Sequence, residues 1–436
     1  MKYNSLEHEQ IKLIYKAKKI INLAKSKNIN YFLYDENYLT TWSNNLGNLI
    51  LKKNYYNVIL FYFIFIYRVI KNFFFYNSKY KVRYFFDNKK KFKNIVFTYY
   101  SYKFKEKKKF FFFDSYFSSR ICNSKQTLWI IFNIDKNNYK PRDDENIIYI
   151  DAYIINNFFL KCFLIFEIFF KFIFKKNFFN NNLFSVIKFS IDKIFEFPNS
   201  VKNLYLPFES QPHQLFLLKY IKQKKNNINT FGYLHSCLPP VPTEFFYNNF
   251  LDKIIVHGNQ QSKILVKYLG WKKKDVINTS SFRYIVSNIK KNGIYLPYDF
   301  SNEEIILQKI KYLLTSNLLK NKSRFRIFNH PHKIRSLKHK QLIIKINRLL
   351  DLYGGNANSD YSIFLGSTAS LLEALEKNIK VIHVSSNPLF EFHTSKIWNN
   401  ILCKEIDPFI MMYKLKRKNT IINFGQKNFF IKSFKL

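Results

Sequence analysis

The sequence predicts an α/β protein built from two Rossmann-like units that face each other across a cleft. Short β-rich runs recur along the chain, each followed by polar residues and a helical stretch, which is typical of parallel sheets covered by helices. The alternation restarts at Gly293 after a polar segment at residues 287–292. Residues 360–375 then read as a buried strand, a glycine turn, a hydroxyl-rich cap and a helix.

The first unit is predicted to begin with a helix, after which short strands alternate with helical stretches. Apolar residues at helical spacing indicate the helix at residues 8–27. Most of the strands end on an acidic residue, a histidine or a hydroxyl side chain, so polar groups gather where strands stop. The predicted strands lie at residues 31–34, 94–100, 128–134, 147–150, 203–207, 230–233, 253–256 and 276–278.

The second unit begins at Gly293 and repeats the pattern. Strands are predicted at residues 294–297, 325–328, 360–365 and 381–384, with helices at 302–314, 338–350 and 368–377. Residues 401–436 show no strong strand pattern, so one or two helices are expected there, packed on the domain junction. The predicted domains are therefore residues 1–288 and 289–400, followed by a helical segment at 401–436.

The composition limits what the charge can mean. The chain has 436 residues, a net charge of +42, 47% apolar and 19% aromatic residues, so its composition does not indicate disorder. A bias toward Lys, Asn, Ile, Phe and Tyr is what an A+T-rich genome produces, and the charge is spread out. We therefore expect no nucleic-acid partner. The four cysteines lie far apart without metal-ligand spacing, which fits a reducing compartment.

Two apolar stretches require a membrane assessment. Residues 58–67 are followed by Arg68, and residues 154–174 contain two lysines and a glutamate. A spanning helix needs about 20 nearly uncharged residues, so buried or amphipathic helices are predicted instead. An interfacial helix with Phe on one face and Lys on the other remains open. With no signal-peptide pattern at the start, the expected location is cytoplasmic, with peripheral contact to an anionic inner membrane face.

A phosphate-handling crevice is predicted in the second unit. The run from Gly366 to Ser370 directs backbone N–H groups, hydroxyls and a helix dipole toward one place. The strand at 325–328 ends upstream on Asn329, His330 and Pro331. Two strand ends with polar groups are how an α/β domain forms a site for an anion.

Eight segments in the middle of the chain carry motifs in a fixed order: residues 203–212, 231–236, 253–258, 269–271, 276–283, 330–331, 367–370 and 373–382. In this order they resemble bacterial surface-carbohydrate glycosyltransferases of the GT-B type. The ordered segments that carry the resemblance span about 203–384; in the capsular sialyl- and Kdo-transferases, two of them correspond to an "HP" pair and a serine motif. Asn378 stands where these families usually have glycine; asparagine also adopts the left-handed conformation.

The donor side follows from the chemistry of nucleotide-sugar transfer, in which an anionic leaving group must be stabilised. A helix N-terminus, hydroxyls and one imidazolium can do this without a metal, so no metal and no cofactor are expected. The alternatives left open are strand-end capping by the histidine, ordinary helix capping, a solvated glutamate and an interdomain salt bridge for the arginine. The candidate donor-binding residues are His330, Ser367, Thr368, Ser370, Glu373 and Arg283.

The acceptor hydroxyl needs a general base. Glu209 is the first candidate because it follows a strand end between Pro207 and Pro212. Asp35 and Glu36 are rivals at the end of the first predicted strand, where the resemblance implies an acidic pair. His235 is a further candidate, as base or acceptor ligand.

The sequence thus favours a glycosyltransferase that moves a sugar from a CMP- or NDP-sugar to a surface glycan or a lipid-linked acceptor. Three alternatives remain open. One is a polyol-phosphate transferase, and another is a nucleotide-sugar 2-epimerase of the same fold. The third is a non-enzymatic basic binding protein.

Overall fold

A computed structural model describes twenty separate stretches of the chain, which cover parts of both predicted units. Within them, no helix is long and apolar enough to cross a membrane. The described residues are 78–86, 91–99, 126–133, 146–154, 201–208, 212–224, 227–234, 251–279, 289–298, 300, 302–316, 318–319, 324–330, 333–334, 336–355, 359–366, 368, 370–385, 400–418 and 421.

The first sheet has eight strands in the order β1-β4-β3-β2-β5-β6-β7-β8. Its strands are β1 (Ser78–Phe85), β2 (Asn94–Tyr99), β3 (Thr127–Asn133), β4 (Ile147–Ile154), β5 (Asn203–Pro207), β6 (Asn229–Tyr233), β7 (Lys253–Val256) and β8 (Val276–Asn278).

Seven of these strands are parallel, and β1 alone runs antiparallel, against β4. The chain moves outward from β2 through β3 to β4, then returns to the other side of β2 and continues from β5 to β8. This doubly wound order creates a switch point between β2 and β5. All seven parallel strands therefore end at the same edge of the sheet.

The second sheet has six strands in the order β10-β9-β11-β12-β14-β13. The first four are parallel, whereas β14 is antiparallel to both β12 and β13. Its strands are β9 (Gly293–Tyr295), β10 (Arg326–Phe328), β11 (Tyr361–Leu365), β12 (Lys380–Val384), β13 (Ile401–Asp407) and β14 (Ile410–Leu415).

Helices cover both faces of the second sheet. Apolar residues of α3 and α4 pack on one face, in a cluster with Ile294 and Ile363. Leu371 and Leu372 of α5 pack on the other, in a cluster that also contains core residues of the first sheet. The described helices are α1 (Pro212–Lys224), α2 (Asn259–Tyr268), α3 (Glu303–Thr315), α4 (Leu337–Tyr353) and α5 (Ser370–Glu376).

The predicted fold class is confirmed as mixed α/β with two parallel-dominated sheets. Each predicted strand within the described residues is present, with ends shifted by a few residues at most. Asn378 has the predicted left-handed backbone, with φ of 61°. The predicted helix at 8–27 and strand at 31–34 lie outside the described residues.

The helical prediction for residues 401–436 is wrong for its first part, because residues 401–415 form β13 and β14. Met411, Tyr413 and Leu415 are buried at alternate positions, which is the period of a strand. Their strand, β14, is hydrogen-bonded to β12 and β13. β12 lies far away in the sequence, and β13 shows no strong strand pattern. The antiparallel edge strand β1 was not predicted either.

Three aromatic rings are stacked across the middle of the second sheet. Tyr295 lies between Phe328 and Phe364, with ring centres 4.7 Å apart and ring planes 9° apart on both sides. The three residues are direct partners in the parallel register of β10, β9 and β11. The stack therefore fixes the relative positions of these three strands close to their carboxyl ends.

Phe364→Ala is expected to lower the free energy of unfolding by about 3–5 kcal/mol, because it removes a fully buried ring and leaves a cavity. Urea denaturation of the two proteins measures the change. Tyr312→Ala, at an exposed position on α3, is the matched control and is expected to differ little from wild type. Equal losses for the two variants would contradict a structural role for the stack.

Candidate functional site

The second sheet has its own switch point, between β9 and β11. The chain goes from β9 to β10 on one side and then returns to β11 on the other. In α/β sheets, loops leave such a point in opposite directions, and ligands bind outside the carboxyl ends of the strands there. Because the three strands are parallel, the residues after Tyr295, Phe328 and Leu365 lie at one edge.

The loop after β10 places His330 at this edge. The Asn329 side chain holds the loop by accepting from the His330 backbone N–H (2.8 Å) and donating to the Lys333 carbonyl (3.1 Å). The Lys333 N–H in turn donates to the His330 carbonyl at 2.8 Å. His330 is half-buried, so the turn orders it without removing it from solvent.

Tyr298 adds an exposed aromatic ring beside His330. Its side chain is 55% exposed, although it follows β9 in the centre of the sheet. The His330 ring meets it edge-on, with centres 5.4 Å apart, and the Lys333 Nζ lies 4.0 Å from its centre. Sequence reasoning missed both Tyr298 and Lys333; their nearness to strand ends was the available signal.

The loop after β11 contains the hydroxyl turn. Gly366 has a left-handed backbone with φ of 60°, and its N–H donates to the Val384 carbonyl at 2.8 Å. The Thr368 hydroxyl accepts from the Ser370 N–H at 3.3 Å, so it supports the start of α5. This is the capping role that sequence analysis left open, whereas Ser367 lies outside the described residues.

Two buried histidines hold the backbone of the loops on either side of the switch point. His383 on β12 donates through Nε2 to the Gly366 carbonyl at 2.9 Å, and its Nδ1 lies 3.4 Å from the Tyr413 hydroxyl. His339 on α4 donates through Nε2 to the Pro297 carbonyl at 3.0 Å. A carbonyl only accepts, so the protonated ring nitrogen is assigned in both cases. Sequence analysis predicted neither contact.

Glu373 does not have the solvated environment that the sequence left open, since it is 7% exposed in the first turn of α5. Burial raises the pKa of the Tyr295 phenol above its usual 10.0, and the negative charge of Glu373 raises it further. Hydrogen bonds between the Tyr295 hydroxyl and the Lys290 backbone oppose that shift. Glu373 thus lies within electrostatic range of this buried hydroxyl.

The first sheet brings together the chain positions that precede two further candidates. Phe208 and Leu234 are the last described residues before Glu209 and His235, and they follow the adjacent parallel strands β5 and β6. The Phe208 N–H donates to the Tyr233 carbonyl at 2.8 Å, which extends this pairing. Glu209 and His235 themselves lie outside the described residues.

The remaining first-unit candidates also lie outside the described residues. They are Arg283, after β8, and Asp35 and Glu36 near the start of the chain. His257, a buried histidine that sequence analysis did not select, follows β7 at the same edge. Its backbone N–H donates to Gln261 Oε1 at 3.1 Å. In the described part of the chain, no group of three or more His, Cys, Asp or Glu side chains has metal-binding geometry.

Comparisons with known proteins give structural likeness only. No family model and no curated protein matches the sequence. A glycosyltransferase from Rickettsia africae ESF-5 has 12% identity and a TM-score of 0.35, covering 69% of this chain and 85% of that one.

Two other solved structures are similar to a comparable degree. One is an α,α-trehalose-phosphate synthase (UDP-forming) from Burkholderia xenovorans, at 8% identity and a TM-score of 0.33, covering 65% of this chain and 77% of that one. The other is the N-terminal domain of a Candida albicans trehalose-6-phosphate phosphatase, at 11% identity and a TM-score of 0.37, covering 79% and 89%.

The raised pKa of Tyr295 predicts a pH dependence of stability. The folded protein holds the phenol proton more tightly than the unfolded chain does, so this contribution is complete below pH 10.0 and falls as pH rises above it. In Tyr295→Phe the unfolding free energy is therefore expected to fall less steeply above pH 10.0 than in wild type.

Urea unfolding at a series of pH values measures these slopes. Tyr312→Phe, which changes an exposed tyrosine, is the matched control for the loss of one phenol. A slope in Tyr295→Phe equal to that of wild type would show that burial of this hydroxyl has no effect on its titration.

Proposed function

We propose that the protein is a metal-independent glycosyltransferase that uses a nucleotide-activated sugar, either a CMP- or an NDP-sugar. The observation that carries this proposal is the grouping of His330, Lys333 and Tyr298 at the switch point of the second sheet. Two basic groups and an exposed aromatic ring meet there, at the edge where α/β sheets bind ligands.

These groups suit the departure of a nucleotide. Cleavage of the bond to the sugar leaves negative charge on phosphate oxygens, which an imidazolium and an ammonium stabilise without a metal. The exposed Tyr298 ring offers a flat surface on which a base can stack. Helix α5 has only seven residues, so we assign little of the phosphate binding to its dipole. The cationic side chains and the hydroxyls of Ser367, Thr368 and Ser370 supply the proposed phosphate contacts.

The acceptor is proposed to bind at the carboxyl edge of the first sheet, facing the donor across a cleft between residues 1–288 and 289–400. Glu209 is the proposed general base, with Asp35 and Glu36 as rivals and His235 as a further base or acceptor ligand. Arg283 is kept as a proposed donor ligand. Support comes from β5 and β6, which are adjacent and parallel directly before Glu209 and His235. The proposed acceptor is a surface glycan or a lipid-linked sugar.

A thermal-shift screen against CMP, UDP, GDP, CDP and dTDP tests the donor class. A nucleotide that binds the folded state raises the melting temperature in proportion to the logarithm of its concentration. One nucleotide is expected to stabilise the protein more than the others, without added divalent metal. If none of the five changes the melting temperature, the proposal is wrong.

His330→Ala is expected to lower kcat by about a hundredfold, because it removes a donor to the leaving phosphate. The melting temperature of the free enzyme should change little, since the His330 ring is half-buried. Turnover is measured with the donor found by the thermal-shift screen. Gln308→Ala, at an exposed polar site on α3, is the control, and wild-type turnover in His330→Ala would exclude this role.

Glu209→Gln separates the base from the donor site. The amide keeps the size and polarity of the carboxylate but cannot accept the proton, so kcat should fall by about 10²–10⁴-fold. Donor affinity, measured by calorimetry with the nucleotide, should remain near that of wild type. A loss of donor affinity equal to the loss of turnover would assign Glu209 to binding.

A further inference from the structure

The five most exposed large apolar side chains of the described residues belong to one region of the second unit. They are Leu337 (74% exposed), Leu352 (71%), Ile334 (63%), Tyr298 (55%) and Ile344 (52%). Single exposed apolar residues are ordinary on protein surfaces, but several aligned on the outer side of one helix indicate an interaction surface.

Helical geometry places three of them in one row. Leu337, Ile344 and Leu352 are separated by about two turns each, so they occupy the outer side of α4. The inner side buries His339, Leu342 and Ile346.

Ile334 lies in the turn that leads into α4, next to Lys333, whose Nζ lies over the Tyr298 ring. The row therefore continues from the helix to the candidate site. We call Ile334, Leu337, Ile344 and Leu352 the α4 strip.

Basic residues surround this strip. The exposed charged side chains of α4 are four cations and a single anion, Asp351. Lys345 is paired with Glu303 at 2.7 Å, and the Lys338 ammonium donates to the Phe300 carbonyl. The outer side of neighbouring α3 differs, since Tyr312 is its only large apolar side chain among the exposed ones and Glu304 is also exposed. The four cations are Lys338, Lys340, Lys345 and Arg348.

We propose that the α4 strip docks on an anionic lipid bilayer, with α4 lying in the plane of the interface. Apolar side chains inserted to a shallow depth, with cations at the level of the lipid headgroups, are how such helices bind. The row is about 25 Å long, from the rise of 1.5 Å per residue. A nucleic acid would use the cations and leave the leucines in water, whereas a bilayer uses both.

Membrane docking by the α4 strip depends on exposed apolar side chains and on charge, and not on the proposed reaction. If both hold, docking brings the loop with His330 close to the membrane, where a lipid-linked acceptor is found. Nucleotide thermal shifts test the reaction, and vesicle binding tests the α4 strip. The failure of one therefore leaves the other measurable.

The test is cosedimentation with vesicles of phosphatidylcholine, alone or mixed with phosphatidylglycerol. The protein should bind the mixed vesicles, with less binding as salt rises. Leu337→Ser combined with Ile344→Ser should bind about tenfold more weakly. Lys340→Gln combined with Arg348→Gln should lose about thirtyfold. Tyr312→Ser combined with Leu402→Ser removes two exposed apolar side chains elsewhere and should bind as wild type does.

A second measurement reports insertion directly. Ile344→Trp should shift its emission to shorter wavelength with mixed vesicles and be quenched by brominated lipid. No binding at low salt overturns the proposal, as does wild-type binding in the Leu337→Ser/Ile344→Ser variant. The proposal is also overturned if only the Lys340→Gln/Arg348→Gln variant loses vesicle binding and the protein binds single-stranded RNA as tightly as it binds mixed vesicles. That result would assign the cations to nucleic acid.

Discussion

The stacking of Phe328, Tyr295 and Phe364 is the interaction on which the edge of the second sheet depends. Each ring belongs to a different parallel strand, and the 4.7 Å ring spacing matches the distance between neighbouring strands. The Tyr295 hydroxyl is bonded to the Lys290 backbone, so the central ring cannot shift along the stack without losing that contact. Loops after β9, β10 and β11 consequently start from positions fixed by buried packing.

From that fixed base, the edge is built in two layers. Below the surface, His339 and His383 bind the carbonyls of Pro297 and Gly366, and these bonds limit the conformations of both loops. Above them, His330, Tyr298 and Lys333 are exposed or half-buried. A rigid lower layer with polar side chains above it is the arrangement that the proposed stabilisation of a leaving group requires.

The large positive charge has different meanings at different scales. Spread over the whole chain it reflects composition, and +42 alone identifies no partner. Locally, Lys333 beside Tyr298 suits a phosphate with a base attached, whereas lysines and an arginine between the exposed Leu and Ile side chains of α4 suit a lipid surface. What distinguishes the two is the neighbouring apolar group, a single ring in one case and a row of aliphatic side chains in the other.

By itself, the sequence determined the alternation of strands and helices, the start of a strand at Gly293 and the position of His330 after a strand, because each depends on local periodicity and on turn residues. It also identified the left-handed Asn378, since few residue types adopt that conformation. Only the tertiary structure decided that residues 401–415 form strands, because their partner β12 must already be in place. The contacts of His339, His383 and Tyr298 could not be predicted either, since they join residues 17 to 42 positions apart that come together only after folding. Such contacts have no period in the sequence, and only the packed sheet creates them.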